Sequence, residues 1–461
     1  MNISQHHAIG EGRYGCVVNP SLKCSDNNII HPPNSVSKIM KEQDAIDEME
    51  EIKEIDKIDP TYNFHIPTPT LCKLDKKQNY ESNINGCEKI SVTSQNIDSL
   101  SILTMQNSGS SFYNIMQKYR YQLPSQENQN YMNNLWLSLI PIFEGLITMQ
   151  QNMYQHHDIS INNILFNEQT NKSVLIDFGN AALSIRFINN NLRFKPYKFF
   201  VWWSQPVETH YIPFSNYKEE DPPTGNAKLF SQVFSLLIPL GSKQGVKLKK
   251  KLVADASKSF KKIKQLKTTE ENKEITIAIN KIRTRTDINN IYTNFKEPYI
   301  NLLRAHIKTY DTYGLGLACM TLLLRTEHLI SSPIRTSLFN AFYQMIHPDP
   351  LKRIEPKEAA KQYKQCLKKA NITKMKVLAT NVVSSSTVSS SRSLSNNFGK
   401  THNTLKSNKL SIKKCPDKKE LNPLTNRCRN KCLSQKYRNK KGNCVNKPKS
   451  NKHTLKLISP S

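Results

Sequence analysis

The sequence predicts an α+β protein in which a small β-rich region precedes a larger helical region. One observation behind this prediction is that short β-like runs alternate with turn residues in the first third of the chain. A second is that apolar residues recur at helical spacing in the later segments. A third is length, because 461 residues suffice for two to three domains with substantial cores.

The elements follow in order along the chain. Three strands are expected in the β-rich region: Asn2–Ile9, Cys16–Asn19 and Val36–Met40. A charged helix is expected next over Asp44–Ile58, where apolar residues recur every three positions, and Pro60 favours a stop soon after it. Three further segments have the apolar spacing of helices: Tyr131–Met153, Tyr313–Arg325 and Pro333–Ile346.

Positive charge is concentrated in two segments. The chain has a formal charge of +29, of which residues 400–461 carry +16 and residues 243–285 carry +10. The rest of the protein is therefore close to neutral. Charge of this kind calls for an anionic partner, and we expect the basic tail to dock an acidic protein or, without sequence preference, nucleic acid. A merely solvated tail is the simpler alternative.

The end of the chain differs in composition from the rest. Residues 380–411 are dominated by Ser, Thr and Asn, which predicts a flexible linker. A basic tail follows at 412–461 and contains four cysteines: Cys415, Cys428, Cys432 and Cys444. The other six cysteines are scattered, a pattern that predicts reduced thiols: Cys16, Cys24, Cys72, Cys87, Cys319 and Cys366. Neither a signal peptide nor a membrane span is expected, so the protein is expected to be intracellular.

The first motif with chemical meaning is a glycine-rich string between two expected strands. Gly10, Gly12, Gly15 and Val17 form a G-x-G-x-x-G-x-V pattern. Glycines let backbone amides approach phosphate oxygens, and the apolar Val17 is suited to cover a flat base. An ordinary glycine-containing hairpin is the alternative. A dinucleotide-binding fold is disfavoured because a strand, rather than a helix, is expected after the string.

A lysine then lies inside an apolar strand. Lys38 follows Gly15 by 23 residues, and a cation in such a strand is costly without a partner. The charged helix offers Glu51 as that partner, with Glu48 and Glu54 as rivals. An edge or surface lysine is the alternative.

The strongest cluster comes later, where two acids and an amide follow apolar segments. Asp158, Asn163 and Asp177 belong to the strings H-x-D-x-x-x-x-N and D-F-G. One acid can accept a proton, while a carboxylate and an amide oxygen suit Mg²⁺, which leaves its other positions to water and phosphate.

Taken in this order, the motifs resemble those of eukaryotic-type protein kinases over residues 1–370. The resemblance implies a bilobal fold, with an N-lobe and hinge at 1–109 and a C-lobe at 110–370. It also implies ATP and Mg²⁺ as cofactors and protein Ser/Thr hydroxyls as substrates. Its implied roles are these: Gly10, Gly12, Gly15 and Val17 cover the nucleotide, Lys38 holds its phosphates and pairs with Glu51, Asp158 is the catalytic base, and Asn163 and Asp177 bind Mg²⁺.

The same resemblance extends to the segment that joins the two lobes. It implies that Met105 is the gatekeeper and that Gln106–Ser108 presents backbone to adenine. Glu208 and Arg353 match a structural ion pair, and Asp311 matches the aspartate that holds the catalytic loop.

Three departures from the family pattern stand out. His157 replaces the usual Arg, which implies that activity does not require activation-loop phosphorylation. Ser160 replaces the usual Lys, which puts the rate and the choice of hydroxyl in question. Finally, 103 residues separate Glu208 from Asp311 where about a dozen suffice, so residues 217–300 are expected to form a basic, helical insert.

The tail carries a second resemblance. Its Cys415–Cys428 segment resembles the two-cysteine adaptor segment of proteins from iridescent and other large nucleocytoplasmic DNA viruses. This implies a viral serine/threonine kinase in the cytoplasm of an infected host cell, with packaging in the virion as a further implication. Four thiolates on Zn²⁺ are an alternative for the tail. For the whole protein, a pseudokinase scaffold and a kinase-like small-molecule phosphotransferase are the alternatives.

Overall fold

The protein is described from a computed structural model. The structure describes residues 6–12, 15–26, 29, 34–77, 84–88, 90, 92–93, 95–184, 188, 205–206, 208–209, 243–265, 298–374, 419–422, 427–430, 436–438 and 444–446. The expected linker at 380–411 and most of the tail lie outside these residues. In the described part, no helix has the length and apolarity that crossing a membrane requires. The chain divides into two compact units, Met1–Val382 and Val383–Ser461.

The first unit combines a β-sheet region with helices, as an α+β fold requires. A six-stranded sheet has the order β4-β6-β3-β2-β1-β5. Its strands are β1 (His6–Glu11), β2 (Gly15–Asn19), β3 (Ser35–Lys41), β4 (Thr70–Lys73), β5 (Ile84–Asn85) and β6 (Leu100–Gln106). The first three match the strands predicted from sequence, and they pair as consecutive antiparallel neighbours. Strand β6 completes the centre by pairing with β3 along its full length.

Helix α1 (Glu42–Ile58) begins directly after β3. Its first turn holds Glu42 and Asp44 and its last turn holds Lys57, charges that complement the helix dipole. Ala45, Ile52 and Ile55 are buried on one side, as the apolar spacing predicted.

The helical region contains most of the core. Among the described residues its helices are α2 (Phe112–Tyr119), α3 (Gln126–Ser138), α4 (Ile140–Gln151), α5 (Lys243–Gln265), α6 (Pro298–Arg325), α7 (Ser332–Met345) and α8 (Pro356–Lys369). The segment expected as one helix from Tyr131 to Met153 is two, because Pro141 lies in the first turn of α4 and disfavours helical backbone before it. Helix α6 begins fifteen residues before the expected start at Tyr313. Helix α5 lies inside the predicted insert at 217–300.

Short strands occupy the boundary between the two regions. Strands β7 (Ser110–Ser111), β9 (Ile164–Asn167) and β10 (Lys172–Leu175) form one small sheet, and β8 (Tyr154–Gln155) pairs with β11 (Ala182–Leu183). Strands β9 and β10 form an antiparallel pair. The motif with Asp158 and Asn163 comes just before β9 and Asp177 just after β10, so the pairing brings the two motifs close together. In the second unit, β12 (Lys419–Asn422) pairs with β13 (Arg427–Asn430), and β14 (Lys436–Arg438) pairs with β15 (Cys444–Asn446).

The prediction that the scattered cysteines are reduced is wrong for four of the six. Disulfides join Cys16 to Cys87 and Cys24 to Cys72, all within the sheet region, whereas Cys319 and Cys366 are free. The bonded pairs are 71 and 48 residues apart in sequence, so spacing alone could not reveal them. One disulfide links β2 to the segment after β5, and the other links the segment after β2 to β4.

Removing either disulfide should destabilise the sheet region. Closing loops of 71 and 48 residues restricts the unfolded chain by about 4 kcal/mol each, although the loops are nested and do not add. We expect Cys16→Ser/Cys87→Ser to lower the melting temperature and dithiothreitol to lower it in the wild type. Cys366→Ser, which removes a free thiol, is the control. Equal melting temperatures for the double variant and this control would contradict the prediction.

Candidate active site

The glycine string forms the hairpin between β1 and β2. The Gly12 amide donates to the Gly15 carbonyl over 2.9 Å, which closes the turn, and a β-bulge lies between Ala8 and Gly10. A Cβ atom at Gly15 would lie 2.8 Å from the carbonyl oxygen of Ile39, so only glycine lets β2 lie this close to β3. The strand expected after the string is confirmed.

Val17 and Lys38 lie opposite each other in the β2–β3 register. The Lys38 ammonium is 2.5 Å from Glu48 Oε2, and both side chains are mostly buried. Glu51, the partner favoured by the sequence analysis, lies one turn further along α1 and has an oxygen near Gly179. Burial raises the pKa of Glu48, Lys38 lowers it, and the charge of Asp177 raises it further. The pair therefore lies within electrostatic reach of Asp177.

The segment that connects the sheet region to the helical region follows β6. Met105 is opposite Val36 in the β3–β6 register, two positions from Lys38, and is partly buried against Met40 and Leu103. Its side chain therefore belongs to the same face of the sheet as Lys38. Gln106 and Ser108 follow at the end of the strand, where Gln106 is exposed.

The connecting segment is held at both ends. The Asn107 amide donates to Asn34 and its carbonyl accepts from Asn167. Gly109 has a φ of +95°, and a Cβ atom there would collide with the backbone at Phe166. These contacts fix the path of the chain beside the glycine hairpin.

The three residues of the strongest sequence cluster meet at one place. The Asp158 carboxylate lies near Asp177, whose charge acts on it, and near the side chains of Asn163 and Asn180. Burial and then Asp177 raise the pKa of Asp158 to about 6. The side-chain amide of Asn163 donates to the Asp158 backbone carbonyl over 2.9 Å, which fixes the loop between them. Asn180 was not predicted, since nothing but its place after D-F-G marked it.

A buried aspartate holds the loop from below. Asp311, in α6, accepts from the backbone amides of His156 at 2.8 Å and His157 at 3.0 Å. These two bonds set the loop that presents Asp158. His157 has a φ of 61°, a left-handed conformation that costs energy in a residue other than glycine and is often found at functional sites.

His157, which stands where the family pattern has an arginine, does not supply the positive charge of that residue. Burial lowers its pKa to about 4, so the ring is neutral near pH 7. Its Nδ1 lies 3.2 Å from the Asn180 carbonyl oxygen and its Nε2 lies 3.0 Å from Gln155 Oε1. The ring therefore fills a structural position beside Asp158.

Asp177 and Phe178 adopt a constrained arrangement at the end of β10. Asp177 has a φ of 64°, which turns the chain sharply after the strand. Phe178 is buried with its ring 4.5 Å from that of His156, and it joins the core that includes Ile52 and Ile55 of α1. Phe178 and helix α1 therefore belong to one continuous core.

A histidine missed by the sequence analysis links these elements. His65 is fully buried; its Nε2 is 2.8 Å from Asp56 and its Nδ1 is 3.1 Å from Asp59, at the end of α1. Its ring also lies edge-on to Phe178 at 6.0 Å. No motif surrounds His65 in the sequence, so only the fold reveals this contact.

The structural ion pair is buried in the helical region. Arg353 donates to both oxygens of Glu208 at 2.8 and 2.9 Å, and His306 Nδ1 lies 2.9 Å from Glu208 Oε1. Although burial opposes it, the Arg353 charge dominates and holds the pKa of Glu208 at about 2. A bidentate pair of this kind is among the strongest polar contacts in proteins.

The donor set determines what the site could hold. Among the described residues, no three His, Cys, Asp or Glu side chains group as a metal site. Asn163 and Asp177 supply two hard oxygens, a set too small for a protein-only cage but suited to Mg²⁺ that completes its shell with phosphate and water. Lys38 supplies a cation nearby, since its partner Glu48 is within electrostatic reach of Asp177. The residues therefore fit a magnesium-bound polyphosphate.

Comparison with known proteins does not add to this description. No protein-family model matches the chain, and no curated protein matches it at a significant level.

Proposed function

We propose that this protein is an ATP- and Mg²⁺-dependent protein kinase that transfers the γ-phosphate to Ser and Thr hydroxyls. The observation that carries the proposal is the meeting of Asp158, Asn163 and Asp177 beside the Lys38–Glu48 pair. In this proposal the sheet region is the N-lobe, the helical region is the C-lobe, and the connecting segment at 105–109 is the hinge.

Each side chain has a role in the proposed reaction. Asp158 orients the substrate hydroxyl and accepts its proton, and its raised pKa of about 6 still leaves it ionised near pH 7. Lys38, fixed by Glu48, holds the nucleotide phosphates. Asn163 and Asp177 hold Mg²⁺, which would neutralise the charge that develops on the transferred phosphoryl group. Catalysis rests on positioning and charge neutralisation.

A pseudokinase scaffold is the main rival. A scaffold needs to present only its surface, and it has no physical need for a proton acceptor, two magnesium ligands and an oriented lysine in one place. A small-molecule phosphotransferase is the second rival, suggested by Ser160. The buried Glu208–Arg353 pair favours the protein kinase, because the resemblance associates that pair with the end of the activation segment.

Asp177→Asn is the direct test of the proposal. With purified protein, γ-³²P-ATP, MgCl₂ and a mixture of basic and acidic model proteins, we expect the wild type to label Ser and Thr and the variant to lose transfer. Glu168→Gln, at an exposed carboxylate, is the control. Wild-type transfer by Asp177→Asn would overturn the metal assignment, and an inactive wild type with no Mg²⁺-dependent nucleotide thermal shift would favour the scaffold.

The partner of Lys38 can be tested separately. We expect Glu48→Gln to lower kcat/KM for ATP by about tenfold, because Lys38 would lose the carboxylate that fixes its ammonium. A tenfold decrease corresponds to about 1.4 kcal/mol. Glu51→Gln, one turn away on the same helix, is the matched comparison and should lose less. A larger loss in Glu51→Gln would show that Glu51 is the functional partner during turnover.

A further inference from the structure

Helix α5, the part of the insert before residue 298 that the structure describes, is docked on the helical region by its apolar side. In α5, Leu248, Leu252 and Ala256 are buried in the main core, at intervals of four residues. The docked face is further fixed by the Tyr343 hydroxyl of α7, which donates to Asp255 over 2.6 Å. Helix α5 is therefore a firmly attached part of the first unit over residues 246–258.

The opposite side of this helix carries a stripe of lysines. Lys247, Lys250, Lys251 and Lys258 are exposed, and their spacing places them on one face, away from the buried residues. We call these four residues the lysine stripe. At 1.5 Å per residue, it is about 16 Å long.

The lysine stripe is not neutralised by the described part of the protein. None of its four side chains has an ion pair there, and the single acid between Lys247 and Lys258 is Asp255, which bonds to Tyr343. Seven lysines elsewhere, all at least half exposed or nearly so, lie within 4.0 Å of a carboxylate: Lys57, Lys73, Lys76, Lys118, Lys308, Lys361 and Lys364. The stripe thus holds four like charges on a rigid line, an arrangement that attracts a linear polyanion.

We propose that the lysine stripe binds the phosphate backbone of duplex nucleic acid without reading its sequence. Two observations favour a nucleic acid over an acidic protein. The stripe contains no arginine, the residue suited to bidentate pairing with carboxylates. The exposed apolar side chains beside it are Ala254 and, at its end, Val246, which are too few for the apolar centre of a protein interface. None of its four residues is aromatic, and the Tyr343 ring beside it already has the Lys251 ammonium over its face, which favours a duplex over unpaired bases that need a ring to stack on.

The test measures how binding depends on salt. The probe is a fluorescein-labelled 20-base-pair DNA of mixed sequence, and anisotropy of the full-length protein is followed from 50 to 200 mM NaCl. The test variant is Lys247→Gln/Lys250→Gln/Lys258→Gln. It keeps Lys251, whose ammonium lies 4.0 Å from the centre of the Tyr343 ring. Lys57→Gln/Lys118→Gln/Lys361→Gln removes the same charge from lysines that are paired, and is the matched control.

The expected result is a smaller salt slope in the test variant alone. Each lost phosphate contact lowers the slope of log K against log salt by about 0.9, so the three substitutions should lower it by about 2.7. The basic tail contributes to the slope of every variant equally. A slope equal to that of the wild type, or an equal decrease in the control, would overturn the proposal.

A second arm distinguishes the alternative partner. If the test variant keeps the wild-type DNA slope but loses binding to labelled poly-L-glutamate, the stripe docks an acidic protein and the nucleic-acid assignment is wrong. Because neither arm requires phosphate transfer, the result stands apart from the test of the kinase proposal.

Discussion

If the protein is the proposed kinase, Asp158→Asn should reduce phosphate transfer by about 10²- to 10⁴-fold while leaving nucleotide binding nearly intact. This range is typical for the loss of a general base. The amide keeps the shape of the carboxylate and its place beside Asn163, but it cannot accept the substrate proton. The measurement is kcat for Ser/Thr labelling, combined with the thermal shift that Mg-ATP produces.

The pairing of the two readouts makes this prediction specific. Asp98→Asn, which removes an exposed carboxylate near Lys76, is the control. It should match the wild type in kcat and in the thermal shift with Mg-ATP. A variant of Asp158 that loses nucleotide binding as well as turnover would point to a structural role. Unchanged kcat would remove Asp158 from the chemistry altogether.

Arg353→Met should destabilise the protein by about 3–5 kcal/mol, which is typical when one partner of a buried ion pair is removed. Glu208 would then be a charge inside the core, with His306 as its remaining partner among the described side chains. We expect a fall in the denaturant midpoint, and partial recovery in Arg353→Met/Glu208→Gln, which leaves no buried charge. Lys361→Met breaks an exposed pair and should cost less than 1 kcal/mol. A double variant less stable than Arg353→Met would contradict this account.

The same ion pair predicts how stability depends on acid. The pKa of Glu208 is about 2 in the native state and 4.5 ordinarily, so its ionised form stabilises the fold above pH 4.5. This contribution, roughly 3 kcal/mol, should disappear as the pH falls from 4.5 towards 2. Glu208→Gln should show a flatter decline of unfolding free energy over that interval. Identical slopes for the wild type and the variant would show that other carboxylates dominate.

Local sequence patterns predicted much of the fold. The first three strands, helix α1 and helix α7 follow from apolar spacing and turn residues, which depend on near neighbours in the chain. The proximity of Asp158, Asn163 and Asp177 was also predictable, because a motif fixed both the spacing and the residue types; their roles stay a prediction. Pro141 could have revealed the break between α3 and α4, since proline marks the first turn of a new helix.

The features that sequence patterns did not predict depend on contacts between residues distant in sequence or on the orientation of a helix about its axis. Glu48 and Glu51 are three residues apart on one helix, so either can face the sheet, and only the orientation of α1 selects between them. The two disulfides join cysteines whose approach depends on the order of strands in the sheet. His65 gains its partners from the end of α1, which no pattern around it could predict.

The contact between Glu208 and His306 closes a loop of 98 residues at its base. The entropy of closing such a loop grows only with the logarithm of its length, and halving the loop would change the free energy of closure by about 0.6 kcal/mol. A change in loop length alone is therefore nearly neutral for folding, as long as helix α5 and its buried Leu248, Leu252 and Ala256 are kept. This position is a natural place for the chain to acquire new sequence, and a practical one for inserting a tag or a fluorescent reporter.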